Sequence, residues 1–269
     1  MSLVPQMYMD SVVCIGCKQN NTTIWSGTGF IVAKEKNEGE VWLYLITNKH
    51  VVDGEREIWI KLHNFTENRD VEICVPLVVN GQILYSAHPN CNIDIVAINL
   101  NGSYFKENNL STGYIDIEHN AMDSQELREH GVSEGNIAYM LGYPMRLVNV
   151  NSKSPICRMG CIARMTKEQL AESNNILMDI QNFPGNSGSA VVLKPELTAL
   201  EGTANSPQSV LIGIIHSYIP YRERLLNLQT NEIVEERTEN SGLANMHPVE
   251  YIRDVVEIEY EKKNKKMIE

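Results

Sequence analysis

Short apolar runs separated by polar turns recur along most of the chain. They have the length of strands, are rich in Val, Ile, Tyr and Thr, and follow one another at fairly even spacing. This pattern is typical of barrels and sandwiches, and it predicts an all-β fold. The runs are SVVCIGC, GTGFIVA, VWLYLITN, EIWIKL, VEICVPLVV, DIVAINL, NIAYMLGYP, ICRMGCIARM, NILMDI, SAVVL and SVLIGIIHSYI.

Helical signals are few and stand between or after these runs. Asp123 is placed to cap a short helix that stops at Gly131, and the segment from Thr166 to Gln169 has the spacing of a capping box. The clearest helix is C-terminal, with Pro248 in its first turn and a charged tail behind it. Its apolar positions at helical spacing are Val249, Ile252, Val256 and Tyr260.

Charge and length restrict the function classes. The 269 residues carry a net charge of −11, which argues against nucleic acid as the main ligand because phosphate binding requires a basic face. No apolar run is long enough to span a bilayer, so no membrane partner is expected. The N-terminus shows no secretion signal, and the six cysteines are interpreted as free thiols. Together these features predict a cytoplasmic protein without a metal site or cofactor.

Three polar residues stand in settings that suggest nucleophilic catalysis. Ser187 lies in FPGNSGSAV, between two glycines, where its hydroxyl stays reachable. A serine needs an adjacent base, and His50 in YLITNKHVV follows an apolar strand. Asp94 in NIDIVAINL interrupts an apolar strand, where a charge is unfavourable unless it is paired. The order His, Asp, Ser matches one known arrangement of the serine-hydrolase triad.

These motifs and several others resemble trypsin-like serine peptidases of the chymotrypsin fold. The closest similarity is to bacterial high-temperature-requirement proteases, without their PDZ domain, because the chain ends soon after Pro248. The matching segments are SGTGFIV at 26–32, TNKHVV at 47–52, DIVAI at 94–98, LGYP at 141–144, GNSGSAV at 185–191, IGII at 212–215 and GLANMHPVEYIRDVV at 242–256.

The resemblance implies two six-stranded antiparallel β-barrels and a C-terminal α-helix. The expected domains are residues 1–120 with His50 and Asp94, residues 121–247 with Ser187, and residues 248–269 with the helix and tail. The implied activity is a serine endopeptidase that works through an acyl-enzyme. The implied oxyanion hole is formed by Gly185, Asn186 and Ser187, with the N–H groups of Gly185 and Ser187 as donors.

The resemblance also locates a substrate pocket, on the segment before the nucleophile and the strand after it. His216 precedes the residue that positions the substrate backbone, as in glutamyl endopeptidases, so an acidic P1 residue is a hypothesis. A buried core histidine is the alternative for His216. The expected partner is a peptide or protein substrate, and the oligomeric state is left open. The predicted pocket residues are Gln181, Phe183, Pro184, His216, Ser217, Tyr218 and Ile219.

Two other functions compete with this interpretation. An α/β-hydrolase does not fit, because the motif around Ser187 is G-N-S-G-S and the acid and histidine precede the serine. A catalytically silent protease fold that binds peptides by strand addition stays possible. The other histidines lack a comparable context and are interpreted as ordinary; they are His63, His88, His119, His130 and His247.

Overall fold

The computed structural model describes residues 3–37, 39–149, 152–196 and 208–268. Strands dominate both halves, which confirms the predicted all-β class. Those of the N-terminal half are β1 (Val12–Gln19), β2 (Thr22–Asn37), β3 (Glu40–Thr47), β4 (Glu57–Asn64), β5 (Arg69–Pro76), β6 (Val78–Val79), β7 (Gln82–Ile83), β8 (Tyr85–Ala87), β9 (Val96–Leu100), β10 (Leu110–Ser111) and β11 (Ile115–Asp116).

The strands of the C-terminal half close into a barrel. They are β12 (Ile137–Gly142), β13 (Ile156–Arg164), β14 (Ile176–Asp179), β15 (Ala190–Leu193), β16 (Leu211–Leu226) and β17 (Ile233–Pro248). Their pairing order is β12-β13-β14-β17-β16-β15, and each pair is antiparallel. The predicted six-stranded C-terminal barrel is therefore confirmed.

Apart from the separate β6–β7 pair, the strands of the N-terminal half form one nine-stranded sheet. Its pairing follows the path β10-β4-β1-β2-β3-β9-β8, with β5 beside β4 and β11 beside β2. The β11–β2 pair is parallel, and the others are antiparallel. The resemblance implied a six-stranded barrel for this half. In the described ranges, the structure has nine paired strands here, and their pairing runs in a linear order from β10 to β8. The domain boundaries at 120 and 247 stay a prediction.

The described chain also has a short 3-10 helix (Pro144–Arg146) and six α-helices: α1 (Gln6–Ser11), α2 (Lys49–Val52), α3 (Gly102–Glu107), α4 (Ser124–Glu129), α5 (Lys167–Ser173) and α6 (Val249–Ile268). The capping box of Asp123 is present in α4, and Thr166 caps α5 by accepting from Gln169 N–H. The predicted C-terminal helix begins directly after Pro248, which is the last residue of β17. Within the described ranges, no helix combines the length and apolarity that a bilayer crossing requires.

Apolar runs without polar alternation occur because both faces of these strands are buried. In β3, Leu45 packs inside the N-terminal sheet, whereas Tyr44 and Ile46 face a second cluster. Successive strand residues point to opposite faces, so each face meets a different core. The second cluster also contains Leu141 of the barrel and Ile252 of α6. One continuous apolar core therefore joins the two halves and holds the polar site at their border.

Candidate active site

The pairing of β3 with β9 brings His50 and Asp94 together. Thr47, the last residue of β3, pairs with Val96, the first residue of β9, so the segments beyond them meet at one end of the sheet. There His50 Nδ1 contacts Asp94 Oδ2, and His50 N–H donates to Asp94 Oδ1 over 3.0 Å. The imidazole thus lies against the carboxylate, with half of its side chain exposed to solvent.

Asp94 lies in the loop before β9, not inside a strand as its apolar neighbours suggested. Its carbonyl accepts from Asn48 Nδ2 at 2.8 Å and from Lys49 N–H at 3.3 Å, so it satisfies donors at the start of α2. Burial works to raise the pKa of Asp94, but the hydrogen bonds and charge of His50 outweigh it and hold the pKa below its ordinary value of 3.8. The carboxylate is therefore ionised at neutral pH and can orient the ring.

Ser187 is carried by a turn that requires glycine on each side. Gly185 has φ +99° and Gly188 has φ +89°, a region that favours glycine. A Cβ on Gly188 would lie 1.9 Å from the carbonyl oxygen of Thr28, and one on Gly185 would lie 2.4 Å from that of Tyr143. The glycines thus allow a close approach of the protein's own backbone, rather than only leaving room for a substrate.

Thr28 of β2 joins this turn to the N-terminal sheet. Its N–H donates to the Ser187 carbonyl at 2.9 Å, and its hydroxyl donates to the Gly185 carbonyl at 2.7 Å. The neighbouring Gly27 packs against Val51, the residue after His50. Ser187, which is partly buried, and His50 therefore flank the same two residues of β2. Among the described residues, no hydrogen bond links the Ser187 hydroxyl to His50.

Two N–H groups of the turn, those of Gly185 and Ser187, have no acceptor among the described residues. Met145 N–H donates to the Pro184 carbonyl at 2.6 Å, and because the peptide bond is trans, Gly185 N–H points the opposite way. Ser189 N–H likewise donates to the Asn186 carbonyl at 2.9 Å, so Ser187 N–H, on the same peptide plane, points to the opposite side. The third predicted member of the oxyanion hole differs, because Asn186 N–H donates to the Phe183 carbonyl at 3.0 Å.

The Asn186 side chain is buried beneath the turn. It is 1% exposed, and neither amide atom has a hydrogen-bond partner among the described residues. The nearby Ser189 hydroxyl is buried without a partner as well, and both side chains lie beside Gly142. A neutral amide suits this position, since an ionised carboxylate would be costly without a cation beside it.

The predicted pocket residues surround the turn on two sides. On one side Arg158 of β13 donates to Gln181 Oε1 at 3.4 Å, and its guanidinium lies 5.2 Å from the Phe183 ring. The adjoining Pro184 is exposed and follows directly. Arg158 carries no signal in the sequence pattern, because its link to the pocket depends on the β13–β14 pairing.

On the other side lies the strand segment Ser217–Ile219. The Ser217 hydroxyl accepts from Asn245 Nδ2 at 3.1 Å, and Tyr218 and Ile219 are exposed. The β15–β16 pairing ends at Ile214, whereas β17 continues to pair with Ser217 and Tyr218. Within the described residues, one edge of β16 is therefore unpaired beside the Ser187 turn.

His216 is enclosed by the protein. Its Nε2 contacts Asn175 Oδ1 at 2.8 Å, and its ring stacks on His247 with centroids 4.0 Å apart. Burial, and then the neighbouring His247, lowers the pKa of His216 to about 3. The ring is neutral at neutral pH and its Nε2–H donates to the Asn175 oxygen, so it can bind a substrate carboxylate only after taking up a second proton.

His247 was interpreted as ordinary, and the structure places it against Asp94. Its Nε2 accepts from Asp94 N–H at 3.1 Å. The sequence offers no signal for this contact, because a buried histidine near the end of a strand is common and the partner lies 153 residues away.

The chain is similar to known peptidases. A family model described as trypsin-like peptidase domain matches residues 27–196. The HtrA-type protease AlgW, solved with a decapeptide, is similar at 15% identity and a TM-score of 0.53, over 95% of this chain and 66% of the AlgW chain. The apo MamO protease domain from Magnetospirillum magneticum is 14% identical with a TM-score of 0.43, over 93% of this chain and 98% of that one. No curated protein matches significantly.

The matched segment contains all three triad candidates and the turn that carries Ser187. At such low identity the likeness to AlgW supports the fold, and this chain spans 66% of that protein's chain. The family model covers more than half of the chain, which confirms the resemblance found in the sequence motifs. The chain belongs to the family of trypsin-like peptidase domains.

Proposed function

We propose that the protein is a serine endopeptidase in which Ser187 is the nucleophile, His50 the general base and Asp94 the group that orients His50. The observation that carries the proposal is the contact of His50 Nδ1 with Asp94 Oδ2. A carboxylate at Nδ1 leaves Nε2 as the proton acceptor and stabilises the imidazolium that forms.

The reaction follows from these positions. Ser187 Oγ bonds to the carbonyl carbon of the substrate peptide, and its proton moves to His50. The same proton passes to the leaving nitrogen as the C–N bond breaks, which leaves an ester on Ser187. Water attacks the ester carbon as it gives a proton to His50. The bond from that carbon to Ser187 Oγ then breaks, His50 returns the proton to Oγ, and the carboxylic acid product departs.

The N–H groups of Gly185 and Ser187 would stabilise the oxyanion. The carbonyls of the same two peptide planes are engaged, Pro184 O by Met145 N–H and Asn186 O by Ser189 N–H, so the donors are oriented before a substrate arrives. Fixed donors need no reorganisation when charge develops, and loss of one such donor typically costs about 100- to 1000-fold in turnover.

The substrate is proposed to be an extended peptide. The unpaired edge of β16 beside Ser187 offers the backbone groups of Ser217–Ile219 for strand addition. The similarity to AlgW, which was solved with a decapeptide, supports this substrate class.

An acidic P1 residue is the proposed preference. The cationic Arg158 beside Gln181 and Phe183 supports it. His216, next to Ser217, would contribute only after taking up a proton. A peptide series that differs only at P1 tests it, with Glu compared with Gln, Ala, Leu and Lys. Cleavage after Glu should be fastest, and equal or reversed rates would rule the preference out.

A silent peptide-binding module is the second candidate. It is favoured by one observation, the lack of a hydrogen bond between Ser187 and His50 among the described residues. A peptide library incubated with wild-type protein and with Ser187→Ala separates the two functions. The endopeptidase proposal predicts cleavage by the wild type alone, whereas peptide binding by both proteins without cleavage would support the silent module.

A further inference from the structure

We propose that His247 is a positioning residue for the reaction: it fixes the main chain of Asp94 and thereby the direction of the carboxylate that orients His50. The inference rests on the proposed function and assigns a role to a residue outside the triad. It is carried by the hydrogen bonds on both ring nitrogens of a fully buried histidine.

The partners of His247 determine its protonation state. Its Nδ1 lies 3.0 Å from the carbonyl oxygen of Asn174, which can only accept, so Nδ1 carries the proton. Its Nε2 lies 3.1 Å from the backbone N–H of Asp94, which can only donate, so Nε2 must be unprotonated. Both contacts are therefore satisfied by a single neutral tautomer, and the protonated ring would lose the bond to Asp94.

Asp94 needs such an anchor because it stands outside the sheet. Its carbonyl is held by Asn48 and Lys49 from the N-terminal half, and its N–H is held by His247 from β17 of the barrel. The two sides of the Asp94 backbone are thus fixed by different halves of the molecule. A shift of the barrel relative to the sheet would be transmitted to the carboxylate through His247.

The surroundings keep the ring neutral. His216 of β16 stacks on one face, and Tyr251 of α6 meets the ring edge with centroids 6.0 Å apart. His88, which contacts Tyr251 and Asp254, also faces this region. Burial and the proximity of His88 lower the pKa of His247, against the opposing pull of the Asn174 carbonyl and Asp94.

A variant pair separates positioning from simple packing. His247→Phe keeps a ring but removes the acceptor, whereas His247→Gln keeps an acceptor that can reach the Asp94 amide. Loss of one buried hydrogen bond leaves its donor unsatisfied, so we expect kcat to fall about tenfold or more in the Phe variant. The substrate is not touched, so KM should stay within about twofold. The Gln variant should recover most of kcat.

Tyr251→Phe is the matched control. It removes the hydrogen bond from the Tyr251 hydroxyl to Asn174 Oδ1 in the same cluster without touching Asp94. It should leave kcat within about twofold of wild type. Equal kcat values for wild type and His247→Phe, or equal losses in the Phe and Gln variants, would overturn the proposal.

NMR decides the question even if peptide cleavage is absent or His247→Phe does not fold. In ¹⁵N-labelled wild type, the proposal requires an unprotonated Nε2 at His247 and a scalar coupling across the hydrogen bond to the Asp94 amide. A protonated Nε2 at neutral pH, or no coupling to Asp94, contradicts the proposal regardless of activity.

Discussion

The backbone N–H of Thr28 donates to the carbonyl of Ser187 over 2.9 Å, which joins the N-terminal sheet to the turn that carries the nucleophile. The Thr28 hydroxyl reinforces this link, because it donates to the Gly185 carbonyl at 2.7 Å and accepts from Tyr143 N–H at 3.0 Å. Thr28 is fully buried, so no solvent replaces these bonds when they are lost. The geometry of the turn therefore depends on a residue of the other half of the molecule.

Thr28→Val should disturb the turn without changing the size of the side chain. It leaves Gly185 O and Tyr143 N–H without their hydroxyl partner, and each buried unsatisfied group costs about 1–3 kcal/mol. Urea unfolding should show a loss of stability of about 2 kcal/mol or more, and turnover should fall. Thr28→Ser keeps the hydroxyl and serves as the control. Equal stability of the Val and Ser variants would contradict this role of the hydroxyl.

Gly188→Ala should be far more damaging than Gly81→Ala. Both glycines have positive φ, +89° and +78°, but a Cβ on Gly188 would lie 1.9 Å from the Thr28 carbonyl oxygen, whereas one on Gly81 meets nothing within 4 Å. Backbone strain alone costs about 1–2 kcal/mol, and this is the loss expected for Gly81→Ala. Thermal unfolding of the two variants measures both losses of stability. Similar losses of stability in the two variants would contradict the prediction, because they would mean that the backbone at Thr28 moves aside at little cost.

Stability should decrease as the pH falls below neutrality because of His216. Its pKa is lowered from 6.5 to about 3, so between these values the unfolded chain binds a proton that the folded protein does not. The free energy of unfolding therefore drops with falling pH, by at most about 1.4 kcal/mol per pH unit for this group. His216→Gln should flatten the dependence between pH 4 and pH 6.5 in urea unfolding, and Tyr251→Phe should keep it. Parallel curves for wild type and His216→Gln would contradict the prediction.

Arg158→Gln tests the charge beside the pocket. If Arg158 attracts an acidic P1 side chain, its removal should lower kcat/KM for a Glu substrate by up to about fivefold, because a partly exposed ion pair contributes about 1 kcal/mol or less. Cleavage after Gln should not change, and added salt should weaken the wild-type preference. Arg164→Gln, an exposed change on the same strand, is the control. Equal effects of Arg158→Gln on Glu and Gln substrates would place the charge outside P1 recognition.

The short apolar runs predicted the all-β class, and the helical spacing after Pro248 predicted the C-terminal helix, because both are local signals. The closed barrel was implied only by the resemblance to trypsin-like peptidases. The strand pattern placed Asp94 inside a strand because DIVAI reads as an uninterrupted strand, although the Asp94 backbone bonds to α2 and His247 instead. The role of His247 was not predicted, because it depends on a contact between segments that are distant in the sequence. The nine-stranded path of the first sheet likewise depends on pairings that periodicity does not encode.

The most direct measurement of the central claim is labelling by a fluorophosphonate, with the modified residue located by mass spectrometry of peptides. The account predicts that the wild type is modified at Ser187 and that His50→Ala, which keeps the hydroxyl but removes the base, reacts far more slowly. Labelling at another residue, or modification of Ser187 at the same rate in both proteins, would contradict it.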